Sequence, residues 1–173
     1  NGSNSFNNLS ASESVIDFFS EYFGDVLPLL DNFPKIFFKN PTGKLATVYA
    51  EKWQYNNQFC LVGDAAHAVV PFFGQGMNAS FEDCEVLMQC LDEAHGNWKM
   101  VYEKYNLIRK ADGHAIANMA IENYVEMRDL VTQKEFLQNK ETSNNLWEQF
   151  PDRFIPRYNM VSFTSIPYSE VYR

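Results

Sequence analysis

Basic residues are scarce in this sequence. Fourteen Lys and Arg stand against 22 Asp and Glu, giving a net charge of −8. That argues against electrostatic nucleic-acid binding, which needs clustered cations to release counterions. Long apolar runs are missing too. No stretch reaches the roughly 18 apolar residues of a membrane-spanning helix. The three cysteines, Cys60, Cys84 and Cys90, lie in apolar runs and form no CxxC pair. An odd count in such settings reads as buried free thiols in a reducing compartment. His67, His95 and His114 are far apart and share no ligand spacing with the cysteines, so no metal site is expected. Internal repeats are absent. Asn1, Gly2, Ser3, Asn4 and Ser5 offer no Met, no basic start and no apolar core. They read as neither a secretion signal nor a natural start, so the chain is expected to be cut from a longer one.

Apolar and aromatic residues are plentiful. Of 173 residues 46% are hydrophobic and 16% aromatic, with 15 Phe, 9 Tyr and 3 Trp. A chain with that much apolar surface can offset its ordering entropy and fold. The length allows one domain or part of one.

Ser10, Ala11, Ser12 and Glu13 fit a capping box, and Val15, Ile16, Phe19, Tyr22 and Phe23 follow at helical spacing up to Gly24. Pro28, Pro34 and Pro41 then break the chain into turns and a short helix. Residues 45–49 read as a strand. Residues 59–62, Phe-Cys-Leu-Val, read as a strand buried on both faces. Met77, Phe81, Cys84, Met88 and Leu91 step by four and three, which predicts a helix over 77–91. A second helical pattern covers about 98–139, with Asp112 and Gly113 as its expected break, and a shorter helix is expected over 143–150. Pro151 and Pro156 bracket an irregular tail. The pattern is α/β of the α+β kind, rich in helix, with too few strands for the sheet it implies.

The informative stretch is residues 63–84, GDAAHAVVPFFGQGMNASFEDC. It reads as strand end, acidic turn, apolar loop, glycine turn and helix. Small residues after Gly63 let a large ligand approach the backbone. The Asp64 carboxylate can accept hydrogen bonds from ligand hydroxyls. Gly74 and Gly76 precede a helix start whose free amides favour negative charge. No Lys or Arg lies between residues 63 and 84, so a weakly anionic, polyhydroxylated, planar ligand fits better than a simple phosphate.

This segment resembles the second flavin-contacting motif of FAD-dependent aromatic hydroxylases, GD-A-H-x-x-x-P-x-x-G-x-G-x-N. Residues 122–128, ENYVEMR, and 154–163, FIPRYNMVSF, resemble the kynurenine-hydroxylating branch of that family. The resemblance runs from about Leu9 to Tyr172. The family's GxGxxG unit, its Asp-Gly motif and the Arg and Tyr that hold the substrate carboxylate are not found here. The expectation is therefore the C-terminal part of a Rossmann-like FAD-binding fold, inactive on its own. Its expected divisions are 1–58 as the end of a substrate or sheet domain, 59–96 as the second part of the FAD-binding domain, and 97–173 as a helical region capping the substrate site.

The resemblance implies roles. Asp64 would bind the ribityl chain of FAD. Gly74, Gly76, Met77 and Asn78 would present amides to the flavin N1–C2=O edge. Pro71, Phe72 and Gln75 would lie between the flavin ring and the substrate ring, with no acid–base residue among them. Asn123, Met127 and Tyr158 would contact substrate. Phe73 and His67 are read as core packing and as a satisfied structural histidine. Glu126 and Arg128 are expected in ordinary ion pairs, and Cys84 and Cys90 in a helix core. Glu82 and Asp83 are adjacent, so they diverge on a helix and form no dyad.

The implied reaction is hydroxylation of L-kynurenine to 3-hydroxykynurenine with NADPH and O2, within tryptophan catabolism. The GxGxxG-bearing part of the same enzyme is the implied partner. Bacterial relatives are expected in the cytoplasm and eukaryotic ones on the mitochondrial outer membrane, through a C-terminal tail not found here. Two alternatives stand beside this. One is a hydroxylase of another phenol or aniline. The other is a flavin-fold binding module of the GDP-dissociation-inhibitor type, against which Asp64 and the complete Pro–Gly loop argue.

Overall fold

The computed structural model describes residues 5–173. The start at Asn1–Asn4, read above as no natural beginning, lies outside the described residues. The chain forms two compact units, one up to Lys44 and one over Leu45–Arg173.

The first unit holds two helices, α1 (Ser12–Tyr22) and α2 (Phe33–Lys39), around Val15 and a cluster of phenylalanines. Phe19 packs on Phe33 with ring centroids 4.3 Å apart. The helix start differs from the expected box. Ala11 is the N-cap, and the Ser14 hydroxyl accepts from its N–H at 3.3 Å and donates to its carbonyl at 2.8 Å. Ser14 is the residue that reaches back because it lies three positions into the turn. Pro34 opens α2, where a missing N–H costs nothing.

The second unit begins with an extended segment and a hairpin. Residues 45–49 form no strand, but the Val48 N–H donates to the Ala68 carbonyl at 2.8 Å. Strands β1 (Gln54–Tyr55) and β2 (Phe59–Cys60) pair antiparallel. The expected doubly buried strand is thus reduced to two residues, and Phe59 is exposed. With no second layer over it among the described residues, β2 has one face to bury at most.

Then come α3 (Asp64–His67), α4 (Gly76–Glu93), α5 (Trp98–Val125), α6 (Lys134–Gln149), α7 (Arg157–Phe163) and α8 (Tyr168–Val171), with a π-helical turn at Glu126–Leu130 after α5. Helix α5 is the spine and packs against α4 and α8. It does not break at Gly113. A Cβ there would lie 2.7 Å from Trp53 Cη2, so glycine serves close packing of the indole inside a continuous helix. The helix ends instead at the π-turn, and residues 143–149 belong to α6, with Phe150 as its C-cap.

Helix α4 also turns out differently. Met77, Phe81, Cys84 and Met88 are exposed, while Ala79, Asp83 and Cys90 are buried. Apolar spacing finds a stripe, but the neighbour decides which stripe is covered, and α5 covers the other side. Two cores result. One joins Trp53, Ala66, Cys90, Val101 and Tyr105. The other joins Phe73, Ala79, Ile116, Met119, Val161 and Tyr168. Phe73 is core, as its type favours. No described helix is long and apolar enough to cross a membrane.

Candidate functional site

The motif begins at Gly63, whose φ of +61° is open to glycine and strained for other residues. Its carbonyl accepts from the N–H groups of Ala66 and His67, which starts α3. Asp64 is therefore the first residue of α3, and it is exposed. It lines a cleft of about 540 Å³ with Pro71, Gly74, Gly76 and Met77. Five residues selected from sequence for two roles thus share one concavity.

Gly74 has φ +68°, and a Cβ on it would meet nothing within 4 Å, so its outer face is open. The N–H groups of Gly76, Met77 and Asn78 find no acceptor among the described residues, as expected of a first helical turn. A carboxylate, free amides and an open glycine face in one cleft suit a ligand with hydroxyls and an electron-rich edge.

The side chains of Gln75 and Asn78 go elsewhere. Gln75 is buried, and its Oε1 accepts from Asn78 Nδ2 at 2.8 Å and from the Tyr168 hydroxyl at 3.5 Å. Together with Tyr168 they line a separate cleft of about 250 Å³. Phe72 is half-buried and tilts against Tyr124, centroids 4.6 Å apart. Pro71, Phe72 and Gln75 therefore do not line one cavity.

A third cavity, about 520 Å³, lies among the end of α5, α6 and α7. Asn123, Phe73 and Tyr158 line it, with Glu126, Lys140 and Arg157 supplying charge. Tyr158 stacks on Phe73 at 5.5 Å. Asn123 Nδ2 donates to the Phe72 carbonyl at 2.6 Å. Met127 is exposed and off this lining, though its Sδ lies 3.9 Å from Asn123 Nδ2. The loop at 71–74 thus gives Pro71 and Gly74 to the 540 Å³ cleft and Phe73 to the 520 Å³ cavity.

Beneath the Asp64 turn sits a polar network that sequence reasoning missed. Asp83 is fully buried. Its Oδ2 accepts from the Gly63 N–H at 2.8 Å and contacts His67 Nε2 at 2.6 Å, and its Oδ1 accepts from Arg109 Nε at 2.8 Å. Burial opposes the Asp83 charge, but the bonds from His67, Arg109 and Gly63 outweigh it and hold the carboxyl below its usual range. Arg109 in turn donates to Glu82, Asp112 and the Ala79 carbonyl. Burial works against its charge, and the three carboxylates raise its pKa all the same. His67 stacks on Trp53 at 5.1 Å, a structural placement. The available signals were the Arg109–Asp112 spacing of three and an acid at Asp83, four residues after the small Ala79.

At the tail, Glu122 accepts from Arg157 Nη1 at 2.7 Å and from the Tyr172 hydroxyl at 3.0 Å. Glu126 accepts from Arg157 Nη2 at 3.3 Å. Arg128 pairs with Asp129. Cys90 is buried as expected, Cys84 is exposed, and all three cysteines are free. Burial pushes the Cys60 thiol up to about 11, with Asp83 adding to it. No group of acids, histidines and cysteines among the described residues could hold a metal ion.

Residues 33–118 match the family model described as FAD binding domain. The curated relatives that the chain resembles include several kynurenine 3-monooxygenases. That of Cytophaga hutchinsonii is 41% identical over 170 residues, 98% of this chain and 38% of its own length. That of Myxococcus xanthus is 43% identical, covering 98% of this chain and 36% of its own length. That of Dictyostelium discoideum is 42% identical, covering 95% and 38%. The chain thus spans well under half the length of these relatives.

Proposed function

We propose that the full-length protein is a flavoprotein monooxygenase that binds FAD and hydroxylates L-kynurenine beside its ring amino group, using NADPH and O2. The carrying observation is the loop at 71–74. It borders a hydroxyl-accepting, amide-rich cleft through Pro71 and Gly74, and an aromatic-walled cavity through Phe73.

In this reading Asp64 would accept hydrogen bonds from the ribityl hydroxyls of FAD. The free amides of Gly76, Met77 and Asn78 would serve its N1–C2=O edge, since a helix start favours negative charge. FAD, when bound, supplies the redox and oxygen-activating chemistry. The protein orients and desolvates. Pro71 offers no N–H to the cleft and holds its backbone stiff. Asn123, through the Phe72 carbonyl, pins the loop between cleft and cavity. Tyr158, stacked on Phe73, offers a hydroxyl and a ring face to an aminophenyl substrate. The segment bearing the ADP-binding unit is the partner this reading requires.

The test is the purified full-length protein. Bound yellow flavin, kynurenine-stimulated NADPH oxidation and 3-hydroxykynurenine as product support the reading. A colourless protein indifferent to kynurenine sinks it.

A further inference from the structure

We propose that Asp83 is a positioning residue for Asp64: its buried carboxylate fixes the Gly63 turn and so sets where the Asp64 carboxylate meets the ribityl chain of FAD. The inference rests on the flavin reading above.

Asp83 lies 20 residues beyond Gly63, on α4, yet one oxygen takes both the Gly63 N–H and the His67 ring nitrogen. These two donors flank Asp64 and bracket the single turn of α3. A four-residue helix has little stability of its own, because nucleation is the costly step. Its direction must be imposed from outside. Asp83 does this from below, and Arg109 holds Asp83 from the opposite oxygen.

The geometry is tight. A Cβ on Gly63 would lie 3.0 Å from Ser80 Oγ, so the turn is pressed against α4 as well as bonded to it. Arg109 extends the frame. Its partner Asp112 accepts the Ser169 N–H of α8 at 2.9 Å, and its partner Glu82 accepts the Tyr168 hydroxyl at 3.2 Å. The floor under Asp64 is thereby braced by three helices, α4, α5 and α8. Asp83 itself lines none of the three cavities, so it acts through another residue.

The experiment is a double-mutant cycle in the full-length protein, with the FAD dissociation constant read by titration of the apoprotein. Asp64→Ala and Asp83→Asn are each expected to weaken FAD by roughly tenfold to a hundredfold, the size of one lost charge-assisted hydrogen bond. Together they are expected to weaken it no more than Asp64→Ala alone. Val15→Ala, a buried change in the first unit, is the control for general destabilisation and should leave the constant unchanged. Losses that multiply in the double variant would overturn the inference, as would an unchanged constant in Asp83→Asn. If Asp83→Asn does not fold, His67→Phe removes one donor while keeping a ring on Trp53, and the same cycle is read with it. An unchanged constant in Asp64→Ala overturns the flavin reading itself, and this inference with it. Loss in Asp64→Ala without coupling overturns this inference alone.

Discussion

The side chain of Asn123, from the last turn of α5, donates to the backbone carbonyl of Phe72 at 2.6 Å. That bond ties the long helix to the loop that borders two cavities. Asn123→Ala should therefore do more than remove a substrate contact. It should raise the kynurenine KM and lower kcat together, by about tenfold in kcat/KM, because a loosened loop misplaces both partners. Steady-state kinetics of the full-length protein check this. A change in KM alone would mean that the loop bond carries no catalytic weight.

Tyr158 differs in kind. Its ring stacks on Phe73, and half of the residue is exposed. Tyr158→Phe keeps the ring and removes the hydroxyl. The expected result is a higher kynurenine KM with kcat within about twofold and flavin content unchanged, the signature of a uniform binding contact. Equal KM values would take the hydroxyl out of the site.

Gly113 sits inside α5, with Trp53 where a methyl group would go. Alanine has the better helix propensity, by about 1 kcal/mol. Overpacking costs about 1–3 kcal/mol and should win, since the ring atoms it meets belong to a rigid, buried indole. Gly113→Ala should lower the urea midpoint of the full-length protein. A raised midpoint would show that Trp53 can retreat.

The acid side of stability follows from Asp83. Its carboxyl is held below its usual range of about 4 in the folded state. A depressed folded pKa gives stability that is complete above the unfolded value and is lost as pH falls through the folded one. Urea midpoints should therefore drop steeply below about pH 4 in the wild type. Asp83→Asn should be less stable at neutral pH and show a shallower drop. Parallel pH profiles would mean that Asp83 contributes no linkage.

Much of the candidate site was legible because it is contiguous. Asp64, Pro71, Gly74, Gly76 and Met77 lie within fourteen residues, and local turn chemistry suffices to bring them to one cleft. Gln75 and Asn78 were harder. Both lie in the same run, but their amides bond to each other, and Gln75 bonds to Tyr168, 93 residues away. Met127 shares the helical spacing of Asn123, but the π-turn that begins at Glu126 alters the register there, and Met127 lies outside the cavity lining.

The sequence by itself determined the elements whose signals are local. These are the glycine positions of the motif, the proline-opened α2, the long α4, the helical character of 98–125, and the family that the motif resembles. It could not decide which face of α4 is buried. Met77, Phe81 and Met88 make the more apolar stripe, yet they are exposed, and the side carrying Asp83 faces α5. Nor could it reveal that Gly113 continues a helix, since only the position of Trp53 explains it. The buried Asp83–Arg109 pair is the clearest case. Each charge alone would be costly to bury, and the pairing that makes burial possible links residues 26 positions apart. Periodicity reports what one helix offers, and only the tertiary structure decides what meets it.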